Sequence, residues 1–372
     1  EKDSIRINAI RMLTLITKSY ALKCAYTTAT SCTKILKRNY MENHPYKHIH
    51  PWKSFRQFSD DLLNNIIYNK DGLVVLNKPY GIRRRSLDTN TVHVQNNVPN
   101  GINYTLNDAL PYIAKQLNYL NLTIVRCPEM YMSGITLLAA NERVHHAIER
   151  AYARSHFQAN TYWIITVGIP KKLQGQIHLA IKTISNPQFE HKKTILTSSW
   201  SNNEEKHRKI KLLKTEHKVL SNSTLNLCSL MELKSSTCAK NAIRLFATTR
   251  LYSPVLGDNI YASRIQKIGN TYVNVDPFLT CPGLPKLDIR LLKLLNVRHS
   301  HQRIIPTHIH LKSVVLPTFF GETLKIEAPL MPPFDWTCKQ LEFKYLIPIM
   351  SCKSQSVLFV YPSPARERCL CV

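Results

Sequence analysis

Acidic residues are scarce in this chain. Of 372 residues, 24 are Asp or Glu against 50 Lys and Arg, which leaves a formal charge of +26 and an isoelectric point near 9.7. A surface of that charge attracts phosphate at long range and supplies affinity and salt dependence rather than sequence choice. Long apolar runs are missing too. The best candidate, around residues 345–361, is interrupted by Lys353, so no segment is read as crossing a bilayer. The ten cysteines have no short-period pairing and no C-x-x-C, a usage that fits a reducing compartment and argues against a disulfide scaffold. Close histidine pairs such as His299/His301 and His308/His310 occur; with no fixed ligand spacing beside them, no metal site is expected. No period of twenty to fifty residues repeats, which argues against a solenoid.

What is present begins with an unusual N-terminal stretch. From Ser4 to Tyr40 there are Arg6, Arg11, Lys18, Lys23, Lys34, Lys37 and Arg38 and no acid, with Ser and Thr among Leu, Ile and Ala. This reads as a mitochondrial transit peptide, an amphipathic basic segment removed after import into the matrix. The alternative is a basic arm that touches RNA. Met12 is a possible start residue. The expected organisation is residues 1–45 as transit peptide or arm, 46–350 as one large domain, and 351–372 as a C-terminal tail. A hydrophobic content of 44% can fill a core of that size.

Along the domain, strand and helix patterns alternate. Leu73 to Leu76 is an apolar strand ended by a Lys-Pro turn, and Ile135 to Leu138 is another. Asn141 is placed to cap a helix with Val144, Ala147, Ile148 and Ala151 inward and Glu142, Arg143, Glu149 and Arg150 outward; His145 and His146 fall on its solvated side. Tyr162 to Val167 is a third strand. Pro285 to Leu295 predicts a Pro-started amphipathic helix. Glu204 to Lys218, with six Lys and Arg against three Glu, reads as an insertion or a helix-like excursion.

Several short phrases carry a closer message. The stretch from Val125 to Asn141, VRCPEMYMSGITLLAAN, resembles the segment H-R-L-D-x-x-T-S-G and following strand of the RluA-type pseudouridine synthase family. Asn77-Lys78-Pro79-Tyr80-Gly81 is similar to the family's N-K-P-x-G turn, and Asn160-Thr161-Tyr162 to its K-x-Y. Pro254 to Asp258 with Tyr261 matches P-x-x-G-D-x-x-Y. Ile309-His310-Leu311 and the run from Leu324 to Phe334 look like the L-H-A strand and the E-A-P-L-P-x-x-F ending. These landmarks come in family order from about Ile66 to Leu341. Val167 to Pro170, Pro254 to Asp258 and Ala328 to Leu330 resemble most closely the mitochondrial mRNA pseudouridine synthase group.

The resemblance implies an α+β fold, a mixed and mainly antiparallel sheet with flanking helices around an RNA-binding cleft. It implies isomerisation of uridine: the bond from N1 to the sugar breaks, the base turns, and C5 joins the sugar, with no redox change and no cofactor. A carboxylate must lie at near-attack distance, an Arg must keep it ionised, and an aromatic ring must hold the flipped base. Matched position by position, these are Glu129, Arg244 and Tyr162. Around Arg244 the family's T-G-R-T-H-Q-I-R survives here as Thr237, Ile243 and Arg244. The partners implied are RNA, as mitochondrial mRNA or rRNA, and mitochondrial ribosomal proteins or assembly factors. Lys78, Arg83, Arg84, Arg85 and Arg126 are the expected RNA contacts, the three consecutive arginines gripping phosphate at the cleft rim.

The departures matter as much. Glu129 stands where the family has Asp, Arg126 where it has His, Cys127 where it has Arg and Pro128 where it has Leu. An extra methylene displaces the carboxylate, and a misplacement of about 1 Å can cost about 10²-fold in rate. Two readings therefore stay open: a uridine isomerase acting through Glu129, and an inactive homologue that clamps RNA as a mitochondrial ribosome assembly or RNA-maturation factor.

Overall fold

A computed structural model describes residues 43–85, 104–155, 159–237, 239–344 and 359–361. Residues 1–48 and 49–372 separate as two units. In the first, the described part is a short 3-10 turn, Pro45–Lys47, in which the His44 side chain accepts from the Tyr46 amide. The basic stretch from Ser4 to Tyr40 lies outside the described residues.

The second unit starts with helix α1 (Phe55–Asn64), capped by Ser54, and the antiparallel strands β1 (Ile66–Lys70) and β2 (Leu73–Lys78). Strand β2 is buried along its whole length. Its side chains alternate: Leu73 and Val75 enter one hydrophobic cluster, and Val74 and Leu76 enter another with α1 and helix α2 (Leu106–Gln116). A strand covered on both faces reads as an unbroken apolar run. Thr105 and Asp108 form a capping box at the start of α2.

Strands β3 (Thr123–Arg126) and β4 (Ser133–Ala139) flank the 126–132 segment. Helix α3 (Glu142–Arg154) is capped by Asn141 and buries Val144, Ala147, Ile148 and Ala151 as the periodicity predicts. Strands β5 (Asn160–Val167), β6 (Gln174–Asn186) and β7 (Phe189–Thr197) follow. Helix α4 (Asn202–Lys206) precedes β8 (Ile210–Asn222) and β9 (Cys228–Ser235), and helix α5 is Ala242–Thr249. A separate ribbon is formed by β10 (Ile265–Ile268) and β11 (Thr271–Asn274). Helix α6 (Ile289–Leu294), β12 (Ile309–Phe319), β13 (Glu322–Glu327), helix α7 (Phe334–Gln340) and β14 (Phe359–Tyr361) complete the order.

The main sheet runs β1-β2-β4-β12-β5-β9-β8-β6-β7, with β3 beside β4, β13 beside β12 and β14 beside β13. Every pairing is antiparallel except β4 with β12. The fold is thus the expected α+β arrangement of a mixed, mainly antiparallel sheet with flanking helices. Residues 359–361, inside the stretch read as a tail, add β14 to the sheet.

Two local expectations are corrected. The Glu204 to Lys218 stretch is helical for one short turn and then becomes β8. Its alternation of Leu213, Thr215 and His217 inward with Lys214 and Glu216 outward is the period of a half-covered strand. The helix expected from Pro285 begins at Ile289, because Asp288 supplies the cap through its carboxylate on the Arg290 amide.

Candidate functional site

The parallel junction of β4 with β12 organises the site. Ser133 and Gly134 sit opposite His310 and Leu311, which puts the end of the 126–132 segment against a strand from the far end of the chain. Gly134 has φ +115°, and a Cβ there would lie 2.3 Å from the Leu311 carbonyl oxygen; only glycine permits that approach. Ser133 Oγ and His310 Nδ1 are 2.9 Å apart. Burial holds His310 neutral, its pKa pushed down to about 3. His308, one strand repeat away, pairs with Thr337 Oγ1 at 2.7 Å and is pushed down to about 4 by burial.

Residues 129–132 form a turn closed by the Met132 amide on the Glu129 carbonyl at 3.0 Å, and the Gly81 amide donates to Met130 O at 2.9 Å. The family-type Lys-Pro turn and the acid segment are therefore neighbours. Glu129 is exposed at this turn. Partial loss of water raises its carboxyl above the usual range, and the Lys78 ammonium pulls it part of the way back. Among the described residues no side-chain hydrogen bond fixes the Glu129 carboxyl.

Lys78 lies inside the protein. Its Nζ donates to the carbonyls of Met132 at 2.7 Å and of Pro79 and Ile82 at 3.2 Å, and it has no exposed surface. Burial pushes its pKa down to about 8, with the Cys127 thiol and the Glu129 carboxyl acting in the other direction. The expected phosphate contact is corrected accordingly: this ammonium braces two turns from within. Cys127 shares the recess, accepting from Thr136 Oγ1 at 3.8 Å, and burial raises its thiol.

The pairing expected between Arg244 and Glu129 is not the one the structure makes. The Arg244 guanidinium, 1% exposed, forms its ion pair with Asp258 and a second bond to Asn259 Oδ1 at 3.3 Å. It lies 4.6 Å from the Tyr131 ring and 5.5 Å from the Tyr261 ring, in the geometry of desolvated cation–π contacts. Burial works against its charge, and the Asp258 carboxylate beside it outweighs that cost and leaves its pKa raised. Tyr80 is buried next to this group: burial raises its hydroxyl, and the Thr307 backbone and the Arg244 charge draw it back.

Tyr162 is 2% exposed. It pairs across β5 with Leu311 and Leu233 and belongs to the core cluster with Ile164 and Met231. The aromatic rings at the buried arginine are instead Tyr131 and Tyr261, with Tyr80 nearby. Tyr80, Asp258 and Tyr261 stand inside the recognised phrases, so a signal for them existed; Tyr131 occupies a position the family pattern leaves open and carried none.

The remaining cations divide. Arg83 Nε lies 3.2 Å from Met130 Sδ, and Arg84 donates to the Ile124 carbonyl at 2.8 Å; their own carbonyls receive the amides of Leu106 and Asn107. Arg84 and Arg85 are exposed. Arg126 pairs with Glu149 at 2.6 Å and lies over the Tyr152 ring at 4.9 Å. The structure thus gathers Lys78, Arg83, Arg84 and Glu129 around one pair of turns, and holds Arg244 buried behind them, against Tyr131 of the same turn as Glu129.

No model of a known protein family matches the sequence. The chain is 27% identical over 300 residues to "Pseudouridylate synthase RPUSD4, mitochondrial" of Danio rerio, covering 77% of this chain and 75% of that protein. It is 26% identical over 303 residues to "Mitochondrial mRNA pseudouridine synthase RPUSD3" of Homo sapiens, covering 77% and 79%. Its fold is similar to the solved structure "Human RNA Pseudouridylate Synthase Domain Containing 4", with a TM-score of 0.56 at 22% identity over 77% of this chain and 96% of that one.

Proposed function

We propose that the chain is a member of the RluA-type pseudouridine synthases, similar to their mitochondrial members, and that it is a mitochondrial RNA-binding protein in which uridine isomerisation is very slow or lost. It acts as a clamp on mitochondrial mRNA or rRNA, in RNA maturation or ribosome assembly. Residues 4–40 serve as its import signal and are trimmed in the matrix.

One observation carries this reading: Arg244 is committed to Asp258, and Glu129 is left on an exposed turn where, among the described residues, no side-chain hydrogen bond sets its direction. Covalent chemistry at the sugar needs a carboxylate held at near-attack distance, and a displacement of about 1 Å already costs about 10²-fold. Glu129 has the longer side chain, a free rotor and a raised pKa. What remains for RNA is charge: Arg84 and Arg85 at the turn rim, on a chain of +26, give salt-dependent contact with phosphate.

The opposing reading, isomerisation through Glu129, is favoured by the Lys78 ammonium, which pulls the Glu129 carboxyl back down toward its ordinary range. Both are tested by incubating purified full-length chain, Glu129→Gln and Glu129→Asp with organellar RNA and mapping pseudouridine. The expected result is salt-dependent RNA retention by all three and no pseudouridine from the parent or from Glu129→Gln. Site-specific pseudouridine at ordinary enzymatic rates, abolished by Glu129→Gln, would overturn the proposal.

A further inference from the structure

The β10–β11 ribbon is a small element with no cover. Every residue from Gln266 to Asn274 is exposed, including Ile268 at 62% and Tyr272 at 39%. A two-stranded ribbon that buries neither face gains little from its own packing. Its root, by contrast, is fixed. Val275 N donates to Arg264 O at 2.8 Å, closing the ribbon at its base. Arg264 is buried, with its guanidinium 5.7 Å from the Tyr261 ring, and Tyr261 in turn faces Arg244 at 5.5 Å. The ribbon therefore projects from the buried arginine cluster as an arm with a rigid root and a solvated tip.

The chemistry of the arm selects a partner. From Ala262 to Val275 there are two cations, Arg264 and Lys267, and no acid. Lys267 and Tyr272 are direct cross-strand partners, so an ammonium and a phenol ring stand side by side on one face. Among the described residues Lys267 makes no ion pair and Tyr272 no ring contact. A cation beside an exposed aromatic ring is what a single-stranded nucleic acid uses, one group meeting phosphate and the other stacking on a base.

We propose that the β10–β11 ribbon is an RNA-binding arm that holds unpaired nucleotides beside the 126–132 turn, with Tyr272 stacking on a base and Lys267 meeting the phosphate next to it. The assignment rests on the RNA-binding reading above. Its apolar opposite face, Ile268 and Val273, could suit a protein instead, and that partner is an outcome of the test.

The experiment uses the full chain and a short uridine-bearing single-stranded RNA, followed by fluorescence anisotropy over a range of KCl. Tyr272→Ala weakens binding about tenfold, within the usual effect of one lost stack, and Tyr272→Phe restores it. Lys267→Ala flattens the slope of log affinity against log salt by about 0.7, the value for one phosphate on a single strand. Thermal melting of the variants stays close to the parent, since both side chains are exposed. If the parent binds RNA and Tyr272→Ala and Lys267→Ala bind it equally well, the arm assignment fails while the RNA reading stands, also when those variants lose a protein partner. If the parent retains no RNA at any salt, both fail.

Discussion

Removing the Asp258 carboxylate tests how the buried arginine is held. Arg244 and Asp258 are 1% and 0% exposed in their side chains. Asp258→Asn keeps the side chain's size and the Oδ1 acceptor that takes the Ile260 amide at 2.9 Å, the Tyr261 amide at 3.0 Å and an Arg244 N–H, but removes the negative charge that faces the guanidinium. An uncompensated buried charge of this kind costs about 3–5 kcal/mol. Cation–π contacts of about 2 kcal/mol are already present in the parent and offset none of the loss. The expected destabilisation is therefore about 3 kcal/mol for Asp258→Asn. Asp258→Ala also orphans the buried Tyr261 amide and the half-buried Ile260 amide, at about 1 kcal/mol or more for the buried one, which brings it near the whole stability of an ordinary domain. Urea denaturation followed by tryptophan fluorescence reads the difference. Arg244→Met in the Asp258→Asn background should recover much of the loss, because the charge that had no partner is gone. A change below about 1 kcal/mol for Asp258→Asn, or a double variant that loses the full sum of both single losses, would refute the argument that this pair is closed and mutually dependent.

Acid stability gives a second check. His308 and His310 have folded pKa values of about 4 and about 3, below the unfolded value near 6.5, so their contribution is present above pH 6.5 and is lost as the pH falls. At pH 5 each histidine accounts for about 2 kcal/mol of lost stability, and a His310→Gln variant should show a smaller drop between pH 7 and pH 5 in urea titrations. An equal drop would remove His310 as a cause. Gly134→Ala should fail to give folded protein or lower the melting temperature by more than about 3 °C, about 2 kcal/mol or more for a unit of this size, because its Cβ would meet the Leu311 carbonyl at 2.3 Å; a near-normal melting curve would show that β4 and β12 can part.

Much of this architecture is legible in the sequence. Strands β2 and β4 are apolar runs bounded by turn residues, and α3 announces itself by Asn141 and a 3.6-residue stripe. Strand β8 is hidden because its outer face is charged, so the pattern between Ile210 and Lys218 looks polar until the two faces are separated. The site is less legible. Tyr162 stands in a recognised phrase, yet whether an aromatic at that place faces a cleft or the core depends on which face of β5 is covered, and that is set by the distant residues of the core cluster it joins. The caging of Lys78 depends on a carbonyl 54 residues away, and the Arg244–Asp258 pair on a loop that folds back across 14 residues. Contacts of that kind come from chain reversal, and short motifs do not encode them.

The parallel junction of β4 with β12 also sets the order in which the molecule can be made. Ser133 and His310 are 177 residues apart in the chain, and β12 fills the place between β4 and β5. Until the ribosome has delivered Ile309–Phe319, two central strands have unsatisfied edges and the 126–132 turn has no wall behind it. Long-range closures of this sort slow folding and leave nascent chains prone to aggregation. The turn that carries Glu129 is thus among the last parts to acquire its native surroundings, and a chain cut short before Ile309 has the acid segment without the strand that shapes it.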